Sequence, residues 1–457
     1  MACIGAMLSD DSFEADLSGS LSSLCIPMMN WLGVSDSNNY RDIFYLNALC
    51  LHQIYSLGSG CRQLYQSADR SRGVLIGSLR GMGLLTSHLN LEASSPDSIS
   101  PAPMESSIIH GEWLAWVDRE REKRTTWASF EYDCSLCTLT SRRGAVDLGE
   151  LPQDLPCSET LWDAPSSSAW AALRTRLGSK AMGARWSEVI STALNGERPV
   201  ENASAWSKRL CAQVIGRLLW DLKQLETISL RNCFDLPSLC TAQEKPKLSL
   251  LLGLDHLFES LRQPATTADL ISYNITGLLC HYSHLYSAKD VLDYTLFIVR
   301  NTLERSSRSD ENVKRAEQKL RTVFTTDQKE SRRLLWHAAQ IVAIANEYLV
   351  SAPCEILRLF MAHVFIIAFA KYFPEPKNGS SQISTTALDR YQSVESHAIK
   401  NWVEFGGRVS IGTVLDLNSE SAAVEVSQDA KAILQRLHCW GLAEKFIRIL
   451  HSFASRV

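Results

Sequence analysis

The sequence predicts an all-α protein, built as an irregular array of many helices. Apolar residues recur at three- and four-residue steps over most of the chain, and no strand pattern of comparable length competes with them. The 457 residues are 45% hydrophobic and include twelve Trp, so the chain buries enough apolar surface to offset the loss of chain entropy. A disordered protein is therefore excluded.

The first predicted helices lie in the N-terminal quarter. Apolar residues at helical spacing cover 43–57 and stop at Gly58 and Gly60, and a second helix runs from about Gln63 to Gly81. We expect the preceding segment, 1–42, to be partly disordered. Its first sixteen residues contain no Lys or Arg and no clean apolar stretch, which argues against a signal peptide.

The middle of the chain alternates between helix and loop. Residues 92–107 contain six Ser and three Pro, which predicts a linker loop. A strong helical pattern then runs from His110 to about Thr140. The stretch 145–165 contains three prolines, which deny it a continuous helix.

Helices also dominate the second half of the sequence. We predict them at 205–230, 248–261, 268–283 and 290–303, then an exposed helix or mobile connector rich in alternating charge at 304–333, an apolar helix pair broken at Pro353 (334–350 and 354–373), a polar loop at 374–386 and a final amphipathic helix at 429–454. The most apolar stretch, Leu359 to Ala370, is too short to span a membrane, so it is predicted to be a buried core helix.

Charge and cysteine content restrict the class of protein. The net charge of −4 is spread along the chain, and no basic stripe indicates a phosphate-binding surface. Thirteen cysteines at irregular spacing fit reduced thiols better than a disulfide framework, which favours a cytosolic or nuclear protein.

No motif in the sequence carries a catalytic chemistry. There is no P-loop, HExxH or G-x-S-x-G pattern, and Gly81-Met82-Gly83 lacks the third glycine of a dinucleotide site. Clustered aspartates that would hold magnesium in a terpene-cyclase-like enzyme are missing, because Asp10-Asp11 is the sole adjacent pair and lies near the N-terminus. We therefore predict a protein that is not an enzyme.

Two groups of possible metal ligands are better explained as packing. Cys134 and Cys137 are the closest cysteine pair, but they lie within a predicted helix with no second pair nearby, so buried thiols are favoured. His281 and His284 follow Cys280 one helical turn apart, but no fourth ligand is evident. No catalytic, cofactor-binding or metal-binding residue is predicted.

The most informative stretch runs from Trp113 to Cys137. As a helix it places large apolar side chains and two cysteines on one broad face, namely Trp113, Trp116, Val117, Trp127, Phe130, Cys134 and Cys137. The other face carries Glu120 and Arg124 at i,i+4, which we expect to form an exposed ion pair worth about 0.2–0.5 kcal/mol. This helix is predicted to be a central packing element.

Here the sequence resembles the fungal-specific transcription factor domain, the regulatory region behind fungal zinc cluster and zinc finger modules. The family's helix pattern is met by Glu120, Lys123, Arg124, Trp127, Phe130 and Asp133. A second block, LPCSETLWDAP, follows with Leu155, Pro156 and Trp162, and Trp170 lies just beyond it. A third block, 45–85, looks like the family's first helical pair. We expect these motif residues to be structural.

The resemblance implies a regulator of transcription by RNA polymerase II, located in the nucleus and acting through a domain at 43–304, followed by a C-terminal helical region at 305–457. It implies other transcription factors or co-regulators as partners, a homo- or heterodimer, and a small effector. A pathway-specific role, for example in secondary metabolism, is consistent with it. No membrane association is expected.

The family's DNA-binding zinc module requires paired cysteines or a Cys₂His₂ finger, and neither spacing occurs in this sequence. DNA recognition is therefore expected from a module that was lost, is encoded elsewhere or was omitted from the gene model, or from a partner. Zinc is expected only with such a module. Two alternatives stay open: an all-α small-molecule-binding protein or enzyme, and a structural adaptor.

Overall fold

A computed structural model describes residues 2–9, 12–86, 106–181, 183–198, 200, 202–230, 237–288, 290–303, 307–374, 385–390 and 396–456. Within these residues the chain forms eighteen α-helices and one pair of two-residue strands, which confirms the all-α class. The helices are α1 Ala2–Met7, α2 Ser12–Ser35, α3 Ile43–Gly58, α4 Arg62–Gly81, α5 Ser106–Thr140, α6 Glu159–Trp162, α7 Ser167–Leu177, α8 Trp186–Asn195, α9 Ala205–Leu230, α10 Pro237–Glu259, α11 Thr267–Ser287, α12 Val291–Leu303, α13 Ser307–Thr326, α14 Gln328–Glu347, α15 Pro353–Tyr372, α16 His397–Phe405, α17 Ala422–Gln435 and α18 Gly441–Ser455. The strands, β1 Thr386–Ala387 and β2 Val409–Ser410, pair in parallel.

Most predicted helices are present at the predicted places, and the segment 145–165 contains only α6 and a short 3₁₀ turn. The linker predicted at 92–107 and the loop at 374–386 fall largely outside the described residues. In the N-terminal segment, α1 and α2 make most of the described residues helical, and the partial disorder of 1–42 stays a prediction.

The predicted final helix, 429–454, is wrong as a single element. The chain ends α17 at Gln435, turns, and starts α18 at Gly441. Trp440 is buried in this turn and donates its indole N–H to Ser351 Oγ at 2.9 Å. Apolar residues keep their helical spacing across the turn, so periodicity alone does not reveal the break.

The chain divides into two compact units, each made from several stretches of sequence. Unit 1 comprises Met1–Leu57, Cys61–Asp221 and Leu252–Ser272, and unit 2 comprises Gly58–Gly60, Leu222–Leu251 and Tyr273–Val457. In unit 1, α5 packs against α4 and α7. Its buried face includes Trp127, Phe130 and Leu136, none of which has solvent-exposed surface. The prediction that this helix is a central packing element therefore agrees with the structure.

The centre of unit 2 is α15, which packs against α14, α17 and α18. Among the described residues it is the one helix whose length and composition would allow it to cross a membrane, but 89% of its apolar window is buried inside the protein. Its Phe360 ring stacks on Phe446 at a centroid distance of 4.1 Å. The stretch Leu359–Ala370 is therefore a core helix, as predicted.

Candidate functional site

The family-motif residues converge on one structural feature of unit 1, the contact between α5 and the chain segment 144–165 that follows it. We call this contact the α5 clasp. It is formed by side chains of α5 that bind the backbone of the segment, and its members are considered in turn below.

Glu120 is the first member of the α5 clasp and is 2% exposed. Its Oε1 accepts a hydrogen bond from the backbone N–H of Cys157 at 2.8 Å, and its Oε2 lies 2.8 Å from Lys123 Nζ. Arg124 Nε lies 3.3 Å from Oε1. The expectation of an exposed Glu120–Arg124 pair is therefore wrong: the pair exists, but the carboxylate is buried because it also binds the segment's backbone.

Arg124 links Glu120 on α5 to the chain segment that follows the helix. Its Nη1 lies 3.1 Å from Glu159 Oε2, and its Nη2 donates to the Cys157 carbonyl oxygen at 3.1 Å. The guanidinium also lies over the Trp162 ring, 4.6 Å from its centroid. A planar cation with donors in a fixed fork suits this combination of carboxylate, carbonyl and aromatic partners, which Lys would not satisfy.

Trp127 and Phe130 form the apolar part of the α5 clasp. Their rings meet edge to face at 5.8 Å, and Trp127 Nε1 donates to the Asp154 carbonyl oxygen at 3.1 Å. Leu155 is fully buried beside them, and its N–H donates to the Ala184 carbonyl oxygen at 2.9 Å. The segment thus lies between α5 and the chain before α8.

Asp133 anchors the start of the segment. Its two carboxylate oxygens accept hydrogen bonds from the N–H groups of Ala145 and Val146, both at 3.0 Å. Arg217 Nη1 lies 3.4 Å from Oδ2, and Arg72 Nη1 lies 3.8 Å from Oδ1. The carboxylate is completely buried, so its charge is compensated by two amides and two arginines.

The end of the segment carries an aromatic cluster. Trp170 is buried among Cys157, Leu161 and Ala164, and the half-buried Trp116 packs on it at 5.5 Å and on Trp162 at 6.3 Å. Pro156 is buried, and its carbonyl oxygen accepts a hydrogen bond from Ser207 Oγ at 3.2 Å. All ten predicted motif residues therefore lie in or beside the α5 clasp.

Sequence reasoning missed the partners that complete this contact. Arg217 lies on α9 among apolar positions, and an arginine in such a row was the available signal of a buried acid nearby. Arg72 on α4 and Glu159 at the start of α6 had no comparable signal. Their pairing with α5 depends on tertiary contacts that spacing does not encode.

Burial keeps the thiols around the α5 clasp protonated at neutral pH. Burial raises the pKa of Cys137 to about 12, with Asp133 adding to the effect, and burial and Glu120 raise the pKa of Cys157 to about 12. Burial also raises the pKa of Cys134 well above its usual value. Cys134 and Cys137 are therefore protonated, buried thiols at neutral pH, as their placement within a helix predicted.

The histidines singled out by spacing are buried in unit 2. His281 Nδ1 lies 3.0 Å from Nδ1 of His337 on α14, and the His284 ring stacks on His337 at 3.9 Å. Burial lowers the pKa of His337 well below its usual value, and His284, His281 and Arg333 lower it further. His337 is therefore neutral at pH 7. No sequence signal connected it with the other two.

Unit 2 also contains a pocket of about 90 Å³ at the C-terminal end of α16. Its apolar walls include Phe369, Phe373, Trp402 and Phe405. The buried Arg332 donates from Nε to the Val403 carbonyl oxygen at 2.7 Å and from Nη2 to that of Glu404 at 3.0 Å. Its Nη1 lies beside Gly406 at the pocket wall.

The fold and the α5 clasp define a helical scaffold in which the polar atoms of the motif residues bind the backbone and one another. The family model for the fungal specific transcription factor domain matches residues 1–323, so the chain belongs to that family of fungal transcription regulators. The sequence is also 37% identical over 68 residues to "Zinc finger protein klf1" of Schizosaccharomyces pombe (strain 972 / ATCC 24843). That similarity covers 15% of this chain and 9% of the relative's length. No solved structure gave a significant match.

Proposed function

We propose that this chain is the regulatory part of a pathway-specific transcription factor that works in the nucleus and has no enzymatic activity. The family match over 1–323 is the observation that carries the proposal. A role in controlling genes of secondary metabolism is consistent with it. The α5 clasp supports a structural role for the motif residues, because their polar atoms bind backbone and one another.

DNA recognition is assigned to a zinc-binding module outside this chain or to a partner factor. The similarity to a zinc finger protein covers only a short stretch, and the cysteines of this chain do not have the required paired spacing. The scaffold would then supply contacts to co-regulators and receive a signal.

The experiment for this proposal fuses the chain to an unrelated DNA-binding domain in a fungal reporter strain. We expect a change in reporter expression relative to the DNA-binding domain alone. The Glu120→Gln fusion should lose that change, whereas Asp118→Asn, an exposed acid on the same helix, should keep it. If the reporter responds neither to the wild-type fusion nor to the Asp118→Asn fusion, and a tagged chain is excluded from the nucleus, the structural adaptor is favoured.

We further place the small effector in the pocket beside Arg332. A cavity of about 150 Å³ holds benzene, so about 90 Å³ suits a carboxylate smaller than benzene, such as acetate, with its methyl group as the apolar tail. The Nη1 group of Arg332 would bind the carboxylate, and the aromatic walls would contact the tail. Titration with acetate should shift the Trp402 indole resonance, whereas the neutral acetamide should not. Equal shifts from both compounds would contradict the assignment, and turnover of either would favour an enzyme.

A further inference from the structure

Helix α2 buries two serines while it exposes large apolar side chains. On the face that packs inward, Ser18 and Ser22 are at most 2% exposed and lie beside the half-buried Cys25 and Met29. Ser18 Oγ lies 3.0 Å from both the Cys3 carbonyl oxygen and the Tyr55 hydroxyl, and Ser22 Oγ lies 3.0 Å from His52 Nε2. These hydrogen bonds fix which face of α2 is buried.

The opposite face of α2 carries large apolar side chains in solvent. Leu24 is 58% exposed, Met28 61% and Trp31 68%. Together with Leu17 and the half-buried Leu21 they form what we call the α2 stripe. Monomeric proteins seldom expose a contiguous apolar surface of this kind, so the α2 stripe has the character of a binding surface.

The spacing of the α2 stripe indicates the shape of that molecule. Its members lie at 17, 21, 24, 28 and 31, so the steps alternate between four and three residues. This 3.5-residue repeat is the seam along which two helices pack side by side, and an identical helix is its geometric complement. Because Pro27 lies within α2, the contact is a short helix crossing of about four turns rather than an extended coiled coil.

Charge and area also fit a second copy of the chain. No charged residue occurs between Leu17 and Ser35, so two copies of this surface meet without like-charge repulsion. With Leu32, which is also exposed, the apolar side chains of the α2 stripe offer on the order of 600 Å² per copy. Adding the Ser, Gly and Asn residues between them brings the surface near the ~800 Å² per partner of a standard interface.

We propose that the chain forms a symmetric homodimer through the α2 stripe, with Leu24 at the centre of the contact. Leu24 is the middle member of the stripe, so a two-fold axis through it places the stripe of one copy on that of the other. This proposal stands independently of the function proposed above, since it concerns association of the purified chain alone.

Sedimentation equilibrium of the full chain tests it. The 51.0 kDa chain should sediment as a dimer at micromolar concentration. The double variant Leu24→Asp/Met28→Asp should be monomeric, with its dimer dissociation constant raised at least ~100-fold, because it buries charge at the centre of the contact. The control Leu415→Asp alters a leucine that is 78% exposed between β2 and α17 and should remain dimeric. Circular dichroism of the folded proteins should be the same for all three, whereas the two dimeric proteins should melt at a higher temperature than the monomeric variant because association stabilises the folded state.

A charge-pair experiment tests direct contact at Leu24. Leu24→Asp and Leu24→Lys should each be monomeric, and an equal mixture of the two should dimerise, because opposite charges then face each other across the axis. A monomeric wild-type chain, a dimer that survives the double variant, or folded variants that fail to combine in the mixture would each overturn the proposal. Binding of a different protein by a monomeric chain would assign the stripe to that partner instead, and would overturn it equally.

Discussion

The buried carboxylate of Glu120 accepts a hydrogen bond from one backbone amide and forms ion pairs with two cations. Its i,i+4 spacing to Arg124 was visible in the sequence, and the structure confirms the pair. Its burial was not visible, because it follows from the segment 144–165 folding back onto α5. Sequence spacing predicts which side chains of one helix meet, but it does not show what covers them.

Removing the charge of Glu120 should destabilise the protein strongly. Glu120→Gln keeps the shape but leaves Arg124 and Lys123 without their buried counter-charge, so we expect the free energy of unfolding to fall by about 2–4 kcal/mol. Urea denaturation measures this. Asp118→Asn, the exposed control on α5, should cost less than about 0.5 kcal/mol. Equal effects of the two variants would show that Glu120 is not part of a buried network.

His337 should make stability depend on pH. The pKa of an unfolded histidine is about 6.5, and that of folded His337 is lower, so below pH 6.5 the unfolded state binds a proton that the folded state does not. The free energy of unfolding should therefore decrease as the pH is lowered below 6.5, by up to about 1.4 kcal/mol per pH unit for this site. His363, whose pKa burial lowers to about 4, contributes in the same direction.

Denaturation of the wild type and of His337→Gln between pH 7 and pH 5 measures the effect as a difference in slope. The slope of the free energy of unfolding against pH should be smaller for the variant by the amount that one proton contributes. This holds whatever the stability of the variant at pH 7. His451→Gln, at an exposed position on α18, should keep the wild-type slope. Parallel curves for wild type and His337→Gln would count against a neutral buried His337.

Among the elements, the long periodic helices were predictable, while their terminations and packing polarity were not. The boundaries of α3, α4 and α12 follow from apolar spacing and flanking glycine or acidic residues. The division between α17 and α18 does not, because the apolar period continues across it. The inward-facing serines of α2 also contradict the rule that the apolar face is buried, so no periodicity rule would have oriented this helix.

Two glycines should respond to alanine with opposite signs. A Cβ on Gly441, at the start of α18, would lie 2.3 Å from the Ser59 carbonyl oxygen, so Gly441→Ala should cost about 1–3 kcal/mol. A Cβ on Gly77, inside α4, meets nothing within 4 Å, so Gly77→Ala should stabilise the protein by about 0.5–1 kcal/mol. Urea denaturation of both variants checks the pair. A tolerated Gly441→Ala would mean that the chain around Ser59 moves away freely.

For the whole molecule, the helical spacing of apolar residues predicted the fold class, and three blocks of motif residues predicted the family that the comparison confirms. The division into two units was not predictable, because each unit combines separate stretches of the chain. The pocket beside Arg332 likewise depends on α14, α15 and α16 meeting in space.

The purified chain should show no sequence preference for DNA. Its net charge is −4, and its basic residues are interleaved with acids, so it lacks the basic stripe on which phosphate binding depends. Fluorescence anisotropy with varied labelled duplexes at 50–200 mM salt should give weak and uniform binding. The same chain fused to a zinc cluster of known specificity should bind the corresponding site tightly. Saturable, sequence-dependent binding by the chain alone would contradict the division of roles proposed here.

In the α5 clasp, the side chains of α5 form hydrogen bonds mainly with main-chain atoms. These are the N–H groups of Ala145, Val146 and Cys157 and the carbonyl oxygens of Asp154 and Cys157. Any residue except proline supplies the same N–H group, and every residue supplies the same carbonyl. The exposed side chains of the segment can therefore be replaced without loss of these hydrogen bonds. The length and path of the segment, in contrast, are determined by its contacts with α5. In a saturation mutagenesis screen, insertions and deletions within 145–157 should be far more harmful than side-chain replacements at its exposed positions.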